Sequence, residues 1–296
     1  MAPNNSKAAV FILLGQSNAV GHGLPMKDED RITVPLKNVF GLDRAHNQSY
    51  DNDTLYFSGY TSGGMNLGEE QDDTYSMANC LAKQWQAEID AGNKLSLPDL
   101  YIVHIAIGAQ GVTGEYMWNP DREKKLIPGK LGTADISLYS FTRHILSHLK
   151  ESIKNQGKTP EIIGLHWRGG ENDMLAPDEQ LGESLKNTYR TIFRGFNEAY
   201  GESIPTVLHK IVCHERCTDL DPTGRALKNM HFINEVFDEL CAEFESMTVF
   251  DVRRAPQYIP DVRCNGIFKS DAVHFTPEVN YWAAEEVIKN YSNNRS

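Results

Sequence analysis

The sequence predicts an α/β protein whose mainly parallel sheet is covered by helices on both faces. Two observations support this prediction. Short apolar runs alternate with longer segments, and in those longer segments apolar residues recur mostly every three to five positions. Strands that alternate with helices need crossover connections, which make neighbouring strands parallel and bury both faces of the sheet. At 296 residues with 40% hydrophobic residues, the chain can also bury a substantial core.

The strand candidates are short apolar runs, the pattern typical of fully buried strands. They cover residues 8–14, 38–42, 99–107, 161–167, 206–212 and 247–252. The helix candidates each have one apolar face, and they cover residues 136–150, 179–198, 223–244 and 276–291. Two stretches, 43–72 and 108–135, are rich in Gly, Asn, Asp and Ser and predict long loops, which are often functional.

Two short motifs near opposite ends of the chain carry groups suited to nucleophilic catalysis. Gly-Gln-Ser-Asn at 15–18 follows the first apolar run, where a sharp turn would expose the hydroxyl of Ser17. Asp-x-x-His at 271–274 places the carboxylate of Asp271 three residues before the imidazole of His274. Serine needs a neutral histidine as base and usually a third group to orient it. Ser17, His274 and Asp271 suit these three roles.

With two intermediate blocks, these motifs resemble the SGNH hydrolases, and within them the sialate O-acetylesterase and acetylxylan esterase branch, carbohydrate esterase family six. Gly-Val-Thr at 111–113, followed by Trp118, is similar to the branch's Gly-Gly-Thr. Trp-Arg-Gly-Gly-Glu-Asn-Asp at 167–173 is similar to its Trp-x-Gln-Gly-Glu-x-Asp. The blocks keep the family's order between residues 10 and 278. The resemblance implies a three-layer α/β/α sandwich with a flavodoxin-like sheet, and we expect one domain over 1–296.

The resemblance also implies an oxyanion hole, which stabilises the negative charge of the tetrahedral intermediate. Its donors would be the backbone N–H groups of Ser17 and Gly111 and the side-chain amide of Asn172. Asn172 lies in a Gly-Glu-Asn-Asp sequence that fits the superfamily's Gly-x-Asn-Asp pattern. Two positions depart from the branch: Gly169 replaces its Gln, and Val112 replaces the second Gly of Gly-Gly-Thr.

Five further residues are expected either to contact substrate or to support the site: Gln16, Trp118, Arg168, Glu171 and Asp173. Glu171 or Asp173 is expected to hydrogen-bond the loop that holds Asn172, the alternative being a carboxylate pair for glycoside hydrolysis. The planar fork of Arg168 could bind a carboxylate-bearing sugar, or it could pair with one of these two acids.

Three aromatic residues are candidates for stacking on a sugar ring: Tyr116, Trp118 and Trp167. Packing in the core or at the rim of the site is the alternative for each of them. The acidic cluster of Glu69, Glu70, Asp72 and Asp73 is predicted to be a solvated helix start, since carboxylates are favoured at a helix N-terminus.

Composition excludes several classes of partner. A net charge of −11 argues against sequence-independent binding of nucleic acid, which depends on Lys and Arg. No run reaches the roughly 18 apolar residues of a membrane-spanning helix. The polar N-terminus leaves no room for a signal peptide, so we expect a cytoplasmic protein or the mature form of a secreted one. The five cysteines form no dense disulfide framework and mildly favour a reducing compartment.

The sequence therefore predicts a serine esterase that removes acetyl groups from a carbohydrate through an acetyl-enzyme intermediate. No metal or cofactor is expected, because the Cys and His residues at 213–217 lack a second pair at zinc-site spacing. The expected partner is an acetylated carbohydrate, with no nucleic acid or membrane. The sequence does not specify the sugar, the acetylated position or the oligomeric state. The alternatives are a lipase or thioesterase of the same superfamily and a non-catalytic carbohydrate-binding protein.

Overall fold

Seven hydrogen-bonded strands form one sheet in the part of the chain that the computed structural model describes. The described residues are 7–23, 25–47, 53–69, 74–92, 97–122, 137–212, 223–259, 273–293 and 295. The strands are β1 (Lys7–Gly15), β2 (Val39–Leu42), β3 (Phe57–Gly59), β4 (Asp99–Ala106), β5 (Thr159–Arg168), β6 (Thr206–His209) and β7 (Met247–Phe250). All six predicted strands are confirmed. The additional strand, β3, lies in the predicted loop 43–72 and is too short for its three residues to show a pattern.

The strand order confirms the predicted flavodoxin-like sheet. From edge to edge the order is β3-β2-β4-β1-β5-β6-β7, and β3 alone pairs in the antiparallel direction. Without the β2–β3 extension, the five remaining strands follow the 2-1-3-4-5 order of a flavodoxin-like sheet. In such a sheet the connections depart in opposite directions around the first strand, and ligands bind outside the carboxyl ends of the strands at this position. Here that position lies between β1 and β5.

Seven α-helices accompany these strands in the described residues. They are α1 (Ser17–Val20), α2 (Arg44–Asn47), α3 (Met77–Asp90), α4 (Leu138–Lys154), α5 (Glu183–Tyr200), α6 (Arg225–Glu243) and α7 (Pro277–Asn293). The four predicted helices, α4 to α7, are confirmed. The sequence analysis missed α3, although its buried residues Met77, Leu81 and Trp85 recur every four positions and Ser76 caps its first turn. None of the described helices is long and apolar enough to cross a membrane.

The helices form a layer on each face of the sheet. Along β1, Val10, Ile12 and Leu14 pack in the cluster that contains the buried residues of α4, α5 and α6. The alternate residues Phe11 and Leu13 pack in the cluster of α3 and α7. Because successive side chains of a strand point to opposite faces, β1 is buried on both sides. This arrangement confirms the predicted three layers.

The central strands end at the same level, and this places the loops that follow them side by side. Gly15 at the end of β1 pairs with Ala106 of β4 and with Arg168 of β5. Gly15 adopts a φ of 145°, and a Cβ at this position would overlap the carbonyl oxygen of Arg168. Trp118 donates its indole N–H to the Gly15 carbonyl at 3.0 Å. The carboxyl end of β1, immediately before Gln16, is therefore held by its pairing with β4 and β5 and by the hydrogen bond from Trp118.

Candidate active site

A cavity of about 530 Å³ opens at the carboxyl ends of β1, β4 and β5. The described residues that line it are Gln16, Ser17, His22, Glu69, Gly108, Ala109, Glu171, Asn172, Met174, Leu175, Ala226, Val273 and His274. The same cavity is therefore lined by Ser17, Asn172 and His274, which come from three distant parts of the chain. Asp271 lies outside the described residues.

Ser17 begins the one-turn helix α1 directly after β1. The carbonyl of Gln16 accepts hydrogen bonds from the N–H groups of Ala19 and Val20, at 2.7 and 2.9 Å. The first N–H groups of a helix have no partner within it, so the N–H of Ser17 is not used by α1 itself. Ser17 lines the cavity, and the residue as a whole is 8% exposed. This position combines a hydroxyl and an N–H donor at the wall of the cavity.

Asn18 connects Ser17 to the segment that carries His274. Its side-chain oxygen accepts the N–H of Phe275 at 3.2 Å, and its Nδ2 donates to the carbonyl of Val273 at 3.1 Å. These two bonds hold the backbone on either side of His274. Asn18 is 2% exposed, so the bonds are protected from water. The sequence analysis gave Asn18 no role beyond the turn, because its partners are far away along the chain.

Glu171 joins the loop after β5 to the loop after β1. Its Oε2 accepts from Nε2 of Gln16 and its Oε1 accepts from Nδ2 of Asn18, both at 2.7 Å. The backbone N–H of Gln16 also donates to the carbonyl of Arg168 at 3.0 Å. Gln16 and Glu171 therefore line the cavity and also support it, since they fix the neighbours of Ser17 and Asn172.

Asp173 is buried behind the cavity and holds the loop after β4. Its carboxylate accepts the N–H groups of Val112 and Thr113, both at 3.0 Å, and the Thr113 hydroxyl at 2.8 Å. Burial raises the pKa of Asp173 to about 6, against the hydrogen bonds from Thr113 and Val112, which lower it. A carboxylate that is 0% exposed cannot flank a glycosidic bond, so the alternative that Glu171 and Asp173 form the carboxylate pair of a glycoside hydrolase is wrong.

Gly111 is buried, and it is not among the described residues that line the cavity. Its lack of a side chain makes room for a protein group, because a Cβ there would overlap Oδ1 of Asp173. At the start of the same loop, Gly108 and Ala109 do reach the cavity. The role of the Gly111 N–H as an oxyanion donor stays a prediction.

Arg168 does not face the cavity, and the hypothesis that it binds a carboxylate-bearing sugar is wrong. It is 1% exposed, and its Nη1 donates to Oδ1 of Asn280 at 2.7 Å and to the carbonyl of Asn18 at 3.3 Å. Its guanidinium carbon lies 4.8 Å from the centre of the Phe275 ring. Burial lowers the pKa of Arg168 to about 10, although the charge of Glu171 raises it. The guanidinium is therefore still charged at neutral pH, and it ties α7 to the turn after β1.

Two of the aromatic candidates belong to the core. Trp118 and Trp167 are 0% and 1% exposed, and their rings meet edge to face with centroids 4.9 Å apart. They are buried under the site, so neither can stack on a sugar, and the packing alternative holds for both. Tyr116 is half-buried, and its role as a stacking residue stays a prediction.

The cavity contains a histidine–carboxylate pair that was not predicted from the sequence. Nε2 of His22 lies 2.6 Å from Oε1 of Glu69, and the N–H of Gly108 donates to Oε2 of Glu69 at 2.8 Å. The prediction that Glu69 belongs to a solvated helix start is wrong, because α3 begins eight residues later, at Met77. The other three acidic residues lie outside the described residues. One feature of the sequence could have indicated a role for His22: it stands between two glycines just after α1.

Within the described ranges, no group of three or more His, Cys, Asp or Glu residues could hold a metal ion. Cys80 and Cys241 are free thiols, while Cys213, Cys217 and Cys264 lie outside those ranges.

Solved structures of other proteins have a fold similar to that of this chain. NanS is 15% identical with a TM-score of 0.60, over 97% of this chain and 98% of its own. A protein from Arabidopsis thaliana is 17% identical with a TM-score of 0.57, over 97% of this chain and 99% of its own. Est24, a carbohydrate acetylesterase from Sinorhizobium meliloti, is 10% identical with a TM-score of 0.45, over 96% of this chain and 99% of its own. No family model matches the chain, and no curated protein matches its sequence.

Asp173→Asn should change how stability depends on pH. The pKa of Asp173 rises from 3.8 in an ordinary aspartate to about 6 in the fold, so the folded state binds more protons than the unfolded state between these values. The wild type therefore loses stability as pH rises from about 4 to about 6, and the substitution removes this component. Between pH 4 and 7, the free energy of unfolding of the wild type minus that of the variant should fall by roughly 2 kcal/mol.

Urea unfolding at several pH values measures this difference, and Asp121→Asn controls for the same substitution at an exposed position. A difference that stays constant, or that rises with pH, would contradict the buried position and raised pKa of Asp173.

Asn18→Asp should destabilise the protein although the two side chains have the same shape. The change removes the Nδ2 donor to Val273 and places a second carboxylate beside Glu171. We expect the free energy of unfolding to fall by about 3 kcal/mol or more. Asn187→Asp, at an exposed position beside Arg190, is the matched control and should change it by less than about 0.5 kcal/mol. Equal effects of the two substitutions, measured by urea unfolding, would show that the Asn18 bonds contribute little.

Proposed function

We propose that this protein is a serine esterase of the SGNH type that removes acetyl groups from a carbohydrate. The observation that carries the proposal is the presence of Ser17 and His274 on one cavity, although they come from opposite ends of the chain. A nucleophile and a base must meet in space and need no proximity in sequence. The four motif blocks support the esterase class and the acetylated substrate.

In the proposed reaction, His274 accepts the proton of the Ser17 hydroxyl as Oγ forms a bond to the ester carbonyl carbon. The tetrahedral intermediate then breaks its bond to the alcohol oxygen, which leaves with the proton from His274. Water, activated by His274, attacks the acetyl-enzyme in the same way and releases acetate. Asp271 is proposed to orient His274.

Negative charge on the former carbonyl oxygen needs preorganised donors. The Ser17 N–H, at the start of α1, and the side-chain amide of Asn172 both belong to residues of the cavity wall. The N–H of Gly111 is the third proposed donor. Loss of one such donor typically lowers turnover about 100- to 1000-fold. The bonds of Glu171 to the side chains of Gln16 and Asn18 support this role, because they fix the loops on both sides of the reacting atoms.

One feature of the cavity favours a second candidate, a lipase or thioesterase with the same chemistry. Met174, Leu175 and Ala226 give the cavity an apolar wall, and Leu175 is 53% exposed. Asn229 and Arg225 of α6 donate hydrogen bonds to the carbonyls of Met174 and Leu175, both at 2.8 Å, so this wall is held in place. Such a wall suits a longer acyl chain. Rates with acetyl and octanoyl esters of the same phenol distinguish the two candidates.

Ser17→Ala should lower the hydrolysis of p-nitrophenyl acetate by at least about 1000-fold, because the nucleophile is lost. The matched control is Ser147→Ala, since Oγ of Ser147 lies 3.0 Å from Nδ1 of His148 on the surface of α4. This control should retain wild-type activity. The circular dichroism spectra of both variants should match the spectrum of the wild type. Full activity in Ser17→Ala would overturn the proposed nucleophile. A wild type that binds acetylated sugars and releases no acetate would support a carbohydrate-binding protein instead.

A further inference from the structure

We propose that His22 and Glu69 form the part of the cavity that binds the alcohol side of the ester. In this role, Nδ1 of His22 forms a hydrogen bond with a hydroxyl group of the alcohol, and Glu69 positions His22. The inference rests on the proposed function and adds to it a pair of residues that recognise the leaving group.

The position of His22 follows from the chemistry of His274. A histidine that protonates the leaving alcohol oxygen lies within hydrogen-bond reach of that oxygen, so the alcohol lies beside it. The ring of His22 meets the ring of His274 edge to face, with centroids 5.9 Å apart and planes at 66°. Both rings belong to the cavity wall, and the side chain of His22 is 38% exposed. A bound alcohol would therefore contact His22.

The orientation of His22 is fixed by groups built around it. Glu69 holds Nε2 at 2.6 Å, and its second oxygen is held by the N–H of Gly108 at 2.8 Å. Gly108 itself makes room for the ring, because a Cβ at this position would lie 2.6 Å from Cε1 of His22. The pair is thus anchored to the end of β4, unlike an ion pair between two mobile surface side chains.

The same contacts decide what His22 can recognise. An ionised carboxylate only accepts hydrogen bonds, so the hydrogen between the two side chains belongs to Nε2 of His22. Nδ1 is then the ring nitrogen left to bind a ligand, and its natural partner is a hydroxyl group, which can either accept or donate a hydrogen bond. An alcohol with further hydroxyl groups, such as a sugar, supplies that partner. A simple aryl or alkyl alcohol does not.

The test compares a mono-O-acetylated methyl xyloside, whose other hydroxyls are free, with the same ester in which those hydroxyls are methylated. The wild type should prefer the free-hydroxyl ester, by about three- to tenfold in kcat/KM, as expected for one hydrogen bond. His22→Phe keeps a ring beside His274 and should abolish this preference, whatever it does to the absolute rates. His22→Asn places an amide oxygen near the position of Nδ1 and should restore part of the preference.

The matched control is His46→Phe, because Nδ1 of His46 lies 2.9 Å from Oδ1 of Asp43 in a histidine–carboxylate pair away from the cavity. This control should retain the wild-type preference. The inference is overturned if the wild type hydrolyses p-nitrophenyl acetate but shows no preference between the two xylosides or accepts neither. It is also overturned if His22→Phe keeps the wild-type ratio. A wild type inactive on all three esters overturns the proposed function itself.

Discussion

One side-chain amide joins the three segments of the candidate active site. Asn18 follows Ser17 in the chain, holds the backbone on both sides of His274, and donates to Glu171 in the loop of Asn172. Glu171 also bonds Gln16, and Arg168 also bonds the carbonyl of Asn18, but the Asn18 side chain bonds both the His274 segment and the Asn172 loop. Because the amide is buried, the loss of any one of its bonds would leave a polar group without water to replace the partner. The geometry of the proposed nucleophile and base therefore depends on Asn18.

Charged groups buried behind the cavity complete this support. Arg168 ties α7 and the turn after β1 together, and Asp173 holds the loop after β4 through three donors. Burying these charges costs free energy, which the shifted pKa values of both groups reflect. These buried charges hold the loops of the site in place, and the proposed reaction requires this because its oxyanion donors must be in position before charge develops. Stability and activity are thus expected to be coupled at these positions.

Local patterns predicted six of the seven described strands, four of the described helices and the two proposed catalytic side chains that line the cavity. The apolar run of β1 and the Gly-Gln-Ser-Asn motif after it are both properties of neighbouring residues, which sequence reasoning can evaluate. The roles of Trp118, Arg168 and Glu69 depend on partners about 50 to 110 residues away, such as Gly15 for Trp118, Asn280 for Arg168 and His22 for Glu69. Residue type alone suggested sugar stacking, anion binding and a solvated helix start, and the tertiary contacts overrode each of these. The His22–Glu69 pair was missed for the same reason.

The central claim is that Ser17 is an activated nucleophile and that His274 activates it. Labelling with a fluorophosphonate reagent, followed by peptide mass spectrometry, tests this claim without any assumption about the substrate. The account predicts one adduct per chain, on Ser17, and a labelling rate that falls at least about 100-fold in His274→Gln, because the serine then lacks its base. An adduct on another residue, or an unchanged labelling rate in His274→Gln, would contradict it.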